Sequence, residues 1–290
     1  MIPSGLSHRL NASDLIRGLN TRRIGRQIIV LPEVDSTNTY ALDTLAAKIG
    51  KAADGYVVFA EYQTAGRGRL GHRWHSPRGA SLIFTVMLCD DITREGAGGA
   101  RRDLRTSTEA ITSGPVRLVM AAAVAVVAGI EQATGVEPVI RWPNDVYVGS
   151  KKLAGILVEV RTVCGTVRAT AVGIGVNCLQ HAPHFTPEIR DRATSLEVEA
   201  AQPIDRVAVA QAILPKLDAY IADDHDVRDV RLAADWRARS ADIGAHVMLQ
   251  SEGQTFSGRI VDVHPQQGLL LQLDTGGRRE FDPATTTRLC

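Results

Sequence analysis

The sequence lacks an excess of charge of either sign. Its 290 residues include 33 lysines and arginines and 32 aspartates and glutamates, which gives a formal net charge of +1 at pH 7. A chain with balanced charge has no overall field that draws it onto DNA or an anionic membrane, so nucleic-acid binding would need a local basic patch. Hydrophobic residues make up 44% and charged residues 22% of the chain. These values are typical of folded globular proteins and exclude a disordered, collagen-like or coiled-coil chain.

Cysteine is scarce, and the chain has no long apolar run near its start. The four cysteines are Cys89, Cys164, Cys178 and Cys290. They are far apart and form no Cys-x-x-Cys pair, which excludes a disulfide framework or a cysteine zinc site. Residues 1–10 lack the apolar core of a signal peptide. The apolar run at residues 118–130 is too short to cross a bilayer and predicts a buried helix. We therefore expect a cytoplasmic protein without a membrane span.

The order of strand and helix patterns predicts two structural units. Helical patterns occupy residues 13–16, 36–49, 118–134 and 205–238, with Thr37 as the expected N-cap of the second. Strand patterns occupy residues 28–31, 56–60, 81–88, 139–142, 146–148, 153–160 and 166–177. Four more short strands after residue 241 predict a small β-barrel. The predicted domains are therefore 1–240, with an N-terminal extension at 1–24, and 241–290. Residues 90–114 contain few apolar side chains and are predicted to form a surface insertion.

A loop rich in glycine and arginine is the first candidate for a functional segment. It has the sequence Gly66-Arg67-Gly68-Arg69-Leu70-Gly71-His72-Arg73-Trp74. Glycines let the backbone N–H groups approach an anion, and arginines supply forked donors, so this composition suits phosphate. The loop is not a Gly-x-x-x-x-Gly-Lys-Ser/Thr motif and precedes a strand, which excludes the dinucleotide-binding and P-loop classes. From composition alone, a solvated basic turn remains an equal alternative.

Two further stretches place polar residues beside glycine-containing strands. Asn144 and Asp145 lie in a predicted turn, where their side chains can form local hydrogen bonds. Lys152 begins an apolar strand, a position from which an ammonium group can meet an anion over a partly dry cleft. Gly155 within that strand indicates close approach by a ligand or another backbone segment. The stretch Gly173-Ile174-Gly175-Val176-Asn177 repeats the pattern.

Taken together, these stretches resemble the biotin–protein ligases, which attach biotin to a lysine of carboxylase carrier domains. The resemblance covers residues 28 to about 196 and residues 241–289. It rests on Asp35-Ser36-Thr37-Asn38 and on residues 66–74, 142–159 and 173–177, which occur in the family's order. It implies an α+β fold, with a class II synthetase-like catalytic domain built on a mixed, mainly antiparallel sheet with helices. It also implies a small C-terminal SH3-like β-barrel.

The resemblance also implies the roles of individual residues. Positions matching the biotin site are Ser36, Thr37, Asn38, Gln63, Gly66, Arg67, Lys152, Gly155, Leu157 and Gly173. Positions matching the nucleotide site are Arg69, His72, Trp74, Asn144, Asp145, Lys152 and Asn177. Lys152 and Arg67 are the expected catalytic residues, and Asp145 is the expected magnesium ligand. His72 departs from the family pattern, which often has arginine or lysine there, and a mostly neutral histidine binds phosphate more weakly.

The activity implied by the resemblance is a two-step ligation. ATP, with magnesium, converts biotin to biotinyl-5′-AMP, and a lysine of a biotin carboxyl carrier domain then attacks this anhydride. No tightly bound prosthetic group is expected, and the protein is expected to be a monomer or a homodimer. Alternatives are a lipoate or octanoate ligase or transferase of the related fold, of which the transferase would use a nucleophilic cysteine, a DNA-binding regulator and a non-catalytic docking module. Because 24–27 residues are too few for a helix-turn-helix unit with its own core, we expect a monofunctional enzyme that does not bind DNA.

Overall fold

The computed structural model describes residues 9–91, 104–163, 165, 167–222, 225–265 and 267–289. In this part of the chain the helices are α1 (Ala12–Ile16), α2 (Thr37–Thr39), α3 (Ala47–Ile49), α4 (Leu104–Thr134), α5 (Leu196–Ala200), α6 (Arg206–Ala222) and α7 (His225–Arg239). The strands are β1 (Gln27–Leu31), β2 (Tyr56–Ala60), β3 (Ser81–Asp91), β4 (Val139–Arg141), β5 (Asp145–Val148), β6 (Lys151–Val163), β7 (Val167–Asn177), β8 (His246–Ser251), β9 (Gln254–His264), β10 (Gly268–Leu273), β11 (Arg278–Phe281) and β12 (Thr286–Arg288).

Seven strands form one mixed sheet in the order β1-β2-β3-β7-β6-β5-β4. The pair β1–β2 is parallel, and the other neighbours in this sheet are antiparallel. Its centre is the ladder of β3, β7 and β6, in which Gly173 lies opposite Thr85 on one side and Leu157 on the other. The predicted mixed, mainly antiparallel sheet is confirmed.

The two faces of this sheet have different surroundings because successive side chains of a strand point to opposite faces. One face, which includes Phe84, packs against α4 and α6 and forms the main apolar core. On the other face, a second apolar cluster around Leu42 and Met87 lies beneath residues 37–53. The rest of that second face forms the floor of an open cleft.

Helix α4 is buried along most of its apolar part, including residues 120–127. A Cβ atom on Gly129 would lie 2.6 Å from Cγ1 of Ile213, so glycine allows α4 and α6 to approach closely. The apolar stretch is longer than the predicted residues 118–130, so the expectation that it is too short to cross a membrane is wrong: among the described helices, Gly114–Thr134 is long and apolar enough to do so. The predicted burial holds, because 61% of its apolar window is buried inside the protein. The predicted surface insertion at 90–114 is wrong for residues 104–114, which are helical. Residues 92–103 lie outside the described residues.

The N-cap of the helical segment 37–49 is Ser36, one residue earlier than expected. Ser36 has the extended backbone of an N-cap, with φ −154° and ψ 135°, and makes no side-chain capping hydrogen bond. The predicted N-cap, Thr37, is therefore wrong, because Thr37 is the first helical residue and its hydroxyl donates to Gln63 instead. Residues Tyr40–Ala46 form a π-helical stretch between α2 and α3.

The second sheet contains five antiparallel strands in the order β11-β10-β9-β8-β12. Within the described residues, the edge strands β11 and β12 do not pair with each other. This sheet is therefore open, and the expected closed barrel is not confirmed. Val247 and Phe281 are buried in the same apolar cluster as the core of the large sheet. Asp242 joins the two sheets, because it accepts the backbone N–H of Trp142 at 2.6 Å and forms an ion pair with Arg288.

The described part of the N-terminal extension packs onto the main core. Leu15 of α1 and Ile24 are fully buried. The carboxylate of Asp218, on α6, accepts the backbone N–H groups of Arg22, Arg23 and Ile24 at 2.6–2.9 Å. Three charge-assisted hydrogen bonds to one buried carboxylate fix the path of this segment into β1.

Candidate active site

A cleft of about 580 Å³ lies over β6 and β7, on the face of the large sheet away from α4 and α6. The predicted site residues that line it are Ser36, Thr37, Asn38, Gln63, Arg67, Arg69, His72, Trp74, Asn144, Asp145, Lys152, Gly155, Leu157 and Gly173. Gly66 and Asn177 are the two predicted residues that do not line it. The fold thus brings residues from four distant stretches of the chain to one place.

Glycines in the floor of the cleft make room for side chains above the sheet. A Cβ atom on Gly173 would lie 2.4 Å from Oδ1 of Asn38. A Cβ atom on Gly175 would lie 2.8 Å from Cε2 of Trp74, and one on Gly155 would lie 3.3 Å from Cζ3 of the same ring. At Gly173 and Gly175 a Cβ would therefore force Asn38 or Trp74 to move, whereas at Gly155 it would make a tight contact with the ring of Trp74.

Trp74 closes the loop at its base and covers the floor. Its backbone N–H donates to the carbonyl of Gly66 at 3.0 Å, and a Cβ on Gly66 would lie 2.5 Å from the carbonyl oxygen of Trp74. Gly66 thus supports the loop from outside the cleft lining. The indole Nε1 of Trp74 is buried and has no hydrogen-bond partner among the described residues. Buried indole N–H groups usually have an acceptor, so this atom is suited to a ligand acceptor in the cleft.

A hydrogen-bonded chain holds the hydroxyl and amide groups at the start of residues 37–49. The backbone N–H and the hydroxyl of Thr37 both donate to Oε1 of Gln63, at 2.7 and 3.1 Å. The hydroxyl of Thr85 lies 2.8 Å from Oγ1 of Thr37 and 2.6 Å from Oδ1 of Asn38. Ser36, Thr37, Asn38 and Thr85 are all buried. Thr85 was missed by the sequence analysis because one threonine within an apolar strand belongs to no motif.

The glycine–arginine loop folds back on itself above the cleft. The N–H of Gly68 donates to the carbonyl of His72 at 2.7 Å, and the N–H of His72 donates to the carbonyl of Arg69 at 3.0 Å. Leu70 forms the exposed tip, with a left-handed φ of 53° that is unusual for a residue other than glycine. His72 faces the cleft from this turn, and its phosphate contact stays a prediction.

Arg69 connects the loop to the second sheet. Its Nη1 donates to Oδ1 of Asn144 at 3.2 Å, and its Nη2 donates to the carbonyl oxygens of Pro283 and Thr286, the latter at 3.0 Å. Burial lowers the pKa of the Arg69 guanidinium from its ordinary value, and the charge of Asp145 counteracts part of this effect. The cation is thus held at the rim of the cleft by carbonyl oxygens of β12 and of the turn before it.

Lys152 projects into the cleft, whereas its neighbour Lys151 is exposed to solvent. The Nζ atom of Lys152 lies 2.7 Å from Oδ1 of Asp145. Its backbone is fixed on the other side by the carbonyl of Arg192, at 2.8 Å, and by the N–H of Thr194, at 2.9 Å. The predicted opposite orientation of the two lysines is confirmed.

The two predicted asparagines use their amides within the protein. Nδ2 of Asn144 donates to the carbonyl of Ile156 at 2.8 Å. Asn177 is buried, donates to the carbonyl of Thr194 at 3.0 Å and accepts from Nε2 of Gln180 at 3.0 Å. The structure therefore places Asn177 beside the cleft rather than in its lining, and its nucleotide contact stays a prediction.

The residues present do not fit a resident metal ion. The described part of the chain contains no group of three His, Cys, Asp or Glu side chains that could hold one. Asp145, the expected magnesium ligand, is a single carboxylate already paired with Lys152. Magnesium favours octahedral oxygen coordination, commonly completed by substrate phosphates and water. An ion here would therefore have to arrive with a triphosphate as part of the substrate.

Two of the four cysteines lie within the described residues, and both are buried free thiols. Burial raises the pKa of Cys178 to about 12. Burial also raises the pKa of Cys89 to about 12, with a contribution from the nearby Asp54 carboxylate. Because a thiol acts as a nucleophile only as thiolate, neither group is suited to covalent catalysis.

Charged residues in and beside the cleft were also missed by the sequence analysis. Glu159 contacts Arg67, with Nη2 of Arg67 donating to Oε2 of Glu159 at 2.9 Å. Arg141, Arg192 and Arg288 line the far end of the cleft. Glu159 carried a usable signal, because it lies two and four residues beyond Leu157 and Gly155 and therefore shares their face of the strand.

Comparison with known families gives one match over the centre of the chain. Residues 30–177 match the biotin/lipoate A/B protein ligase family. The chain is 32% identical over 275 residues to the bifunctional ligase/repressor BirA of Bacillus subtilis, covering 94% of this chain and 78% of that protein. It is 34% identical over 275 residues to the biotin–[acetyl-CoA-carboxylase] ligase of Mycobacterium tuberculosis, covering 90% of each.

Solved structures agree with this match. A point mutant of the biotin protein ligase from Aquifex aeolicus, in complex with biotin, superposes with a TM-score of 0.70 and 25% identity. The Aquifex aeolicus enzyme in complex with biotin and ATP superposes with a TM-score of 0.66 and 25% identity. Each comparison covers 91% of this chain and 98% of the solved chain.

Proposed function

The chain belongs to the biotin/lipoate A/B protein ligase family, and we propose that it activates biotin with ATP as biotinyl-5′-AMP and transfers the biotinyl group to a lysine of a biotin carboxyl carrier domain. The single observation that carries the proposal is the composition of the cleft. Hydroxyl and amide groups lie at one end, and Lys152 lies at the other end with Arg69. One ligand with a polar ring and an acidic tail, followed by a nucleotide, matches this order.

The first end of the cleft suits the ureido ring of biotin. A ureido group carries both donors and acceptors, and the hydroxyl of Thr37 and the amide of Asn38 offer both. The chain of hydrogen bonds through Gln63 and Thr85 fixes these groups before the ligand enters. Leu157 and the ring of Trp74 supply apolar surface beside them.

The other end suits the adenylation step. A carboxylate oxygen of biotin attacks the α-phosphorus of ATP, the bond from that phosphorus to the bridging oxygen breaks, and pyrophosphate leaves. Negative charge grows on the α-phosphate during attack, and the ammonium of Lys152 neutralises it at this end, while the guanidinium of Arg67 holds the attacking carboxylate from the biotin end. ATP enters as its magnesium complex, in which the metal belongs to the substrate.

The second step needs no covalent enzyme intermediate. The amine of the carrier lysine attacks the acyl carbon of biotinyl-5′-AMP, an amide forms, AMP leaves, and the amine loses a proton. Loop 66–74 covers the anhydride and excludes water, which would otherwise hydrolyse it. The high pKa values of Cys89 and Cys178 agree with a ligase rather than a transferase that uses a cysteine nucleophile.

The test of the proposal is substrate-dependent pyrophosphate release. With magnesium and ATP, purified protein should release pyrophosphate when biotin is added, and a carrier domain should then gain biotin on one lysine. Lipoate in place of biotin is the matched control, because the related fold includes lipoate ligases. Release with lipoate but not with biotin would show that the biotin assignment is wrong.

The proposal does not include DNA binding, although relatives such as the Bacillus subtilis protein are named as repressors. The first helix of the described residues, α1, has five residues and packs onto the core through Leu15. Specific binding to DNA would give a steep dependence on salt. We expect no such binding to duplex DNA in a gel-shift assay at nanomolar protein, and its detection would overturn this part of the proposal.

We also propose a cytoplasmic location and an SH3-like character for the second sheet. Free thiols at positions 89 and 178 are compatible with a reducing compartment. Five short antiparallel strands joined by tight turns are typical of small barrel-like modules. Microscopy of a tagged protein tests the location, and an experimental structure of the full chain tests the barrel.

A further inference from the structure

Glu159 is a carboxylate that the activation chemistry does not use. It lies on β6, on the same face of the strand as Gly155 and Leu157. Its side chain is 24% exposed. Oε2 accepts two hydrogen bonds, from Nδ2 of Asn38 at 2.8 Å and from Nη2 of Arg67 at 2.9 Å. One oxygen atom thus joins the proposed biotin end of the cleft to the glycine–arginine loop.

The surroundings of the other polar atoms of Asn38 and Arg67 show how these two side chains are oriented towards Glu159. Oδ1 of Asn38 is already fixed by Thr85 at 2.6 Å, so the amide has one orientation and Nδ2 must point to Glu159. Nε of Arg67 is buried and has no hydrogen-bond partner among the described residues. Arg67 therefore has one edge on Glu159 and one N–H group free for an acceptor in the cleft.

We propose that Glu159 is a positioning residue that fastens the loop over the cleft through Arg67 and so retains the activated intermediate. This inference rests on the proposed function, because the molecule retained is biotinyl-5′-AMP. Glu159 does not touch the reacting atoms. It orients Arg67 and, through Asn38, connects closure of the loop to the end of the cleft that receives biotin.

This contact governs how long the intermediate is retained, and it affects the rate of activation only through the orientation of Arg67. Lys152 lies on another part of the cleft and its ion pair with Asp145 does not involve Glu159. A hydrogen bond to a charged group contributes about 1.5–3 kcal/mol, so its loss should accelerate release of a ligand held under the loop by roughly tenfold or more. An adenylate released early reacts with water or with lysines other than the carrier lysine.

The test compares Glu159→Gln and Glu159→Ala with Glu197→Gln. Glu197 is a suitable control because its side chain is similarly exposed, at 29%, and pairs with His181 outside the cleft lining. The Glu159 variants should release biotinyl-5′-AMP about tenfold faster than the wild type or more, and they should lose no more of the rate of its formation than Arg67→Gln does. Glu197→Gln should match the wild type in both. Adenylate release at the wild-type rate by both Glu159 variants would overturn the proposal.

A double variant separates positioning from a general loss of structure. If Glu159 acts through Arg67, then Glu159→Gln should add no further acceleration of release in an Arg67→Gln background. Additive effects on release would show that Glu159 acts by another route and would overturn the proposal.

Trypsin keeps the inference testable even if the protein does not activate biotin, because Arg67, Arg69 and Arg73 are cleavage sites within the loop. Without any ligand, loop cleavage should be several-fold faster in Glu159→Gln than in the wild type and in Glu197→Gln. Equal cleavage in all three proteins would overturn the positioning role. Absence of biotin-dependent pyrophosphate release by the wild type would instead refute the proposed function.

Discussion

The indole ring of Trp74 lies directly on the backbone of Gly175, so closely that a Cβ atom at position 175 would be 2.8 Å from Cε2 and 2.9 Å from Cζ2. The ring belongs to the end of the glycine–arginine loop, and the glycine belongs to the central strand β7. Their contact explains why a strand in the middle of the sheet contains glycine, a residue that otherwise weakens strands. It also ties the position of the loop to the floor of the cleft.

The first prediction is that Gly175→Ala displaces Trp74. Overpacking of this kind costs about 1–3 kcal/mol where neighbours cannot move, and a loop side chain can move more easily than β7. We expect a folded protein with altered tryptophan fluorescence and biotin affinity reduced by about tenfold. Gly114→Ala is the control, because a Cβ there would have no neighbour within 4 Å. Unchanged biotin affinity in Gly175→Ala would show that the Trp74 contact does not shape the site.

The second prediction concerns the buried thiols. A cysteine with a pKa of about 12 has a thiolate fraction of about 10⁻⁴ at pH 8, against roughly a quarter for an ordinary thiol. In a Cys164→Ser/Cys290→Ser background, a disulfide reagent should therefore not label the native protein at pH 8 and should label two thiols after denaturation. Rapid labelling of the native background protein would contradict the burial of Cys89 and Cys178.

The same thiols predict how stability changes with pH. Each binds its proton more tightly in the folded than in the unfolded chain, so their contribution to the free energy of unfolding is complete below about pH 8.5. It decreases as the pH rises from there towards 12. Urea titrations at pH 8 and 10 should therefore show a smaller loss of stability in Cys178→Ala than in its parent. An equal loss in both would mean that the thiol does not contribute.

The third prediction is that Arg69→Ala loosens the C-terminal strands. Hydrogen bonds from a charged donor contribute about 1.5–3 kcal/mol, and Arg69 donates to the carbonyl oxygens of Pro283 and Thr286. Hydrogen exchange of backbone amides near residues 283–288 should become faster, and the free energy of unfolding should fall by about this amount. Arg73→Ala should leave this exchange unchanged, because Arg73 is exposed. Equal rates of hydrogen exchange near residues 283–288 in the two variants would mean that Arg69 does not hold this segment in place.

Much of the fold follows from local patterns in the sequence. The β3, β6 and β7 segments are long, apolar and bounded by turns, and the apolar run at 118–130 is recognisable as a core helix. The start of α4 was missed, because residues 104–114 contain threonine, serine and glycine, which favour loops when judged by composition alone. The open end of the second sheet was also missed, since closure of a barrel depends on contacts between β11 and β12 that no local pattern reveals.

The site was predictable where a residue belongs to a motif and not where its role arises from pairing in space. Lys152 was recognisable from its place at the start of an apolar strand. Its ion pair with Asp145 became known only from the structure, because the register of β5 against β6 places Asp145 opposite Gly155 and not opposite Lys152. Asn177, at the end of β7, was predicted to contact the nucleotide, but Gln180 and Thr194 occupy its amide. Whether the amide of a residue is already hydrogen-bonded within the protein depends on residues from other parts of the fold, which a local sequence pattern does not reveal.

The last prediction compares the two neighbouring lysines. Lys152 points into the cleft with its Nζ 2.7 Å from Asp145, whereas Lys151 is exposed. Lys152→Gln should leave thermal unfolding nearly unchanged, because a rim ammonium adds little to the core. Biotinyl-5′-AMP formation in a single-turnover assay should nevertheless fall by on the order of 10²–10³-fold, the usual loss when one preorganised charge stabiliser is removed. Lys151→Gln is the matched control, since it makes the same change one residue away, on the side of the strand that faces solvent, and should keep nearly full activity. Equal losses in the two variants, or normal adenylate formation by Lys152→Gln, would mean that the ammonium of Lys152 does not stabilise the charge on the α-phosphate.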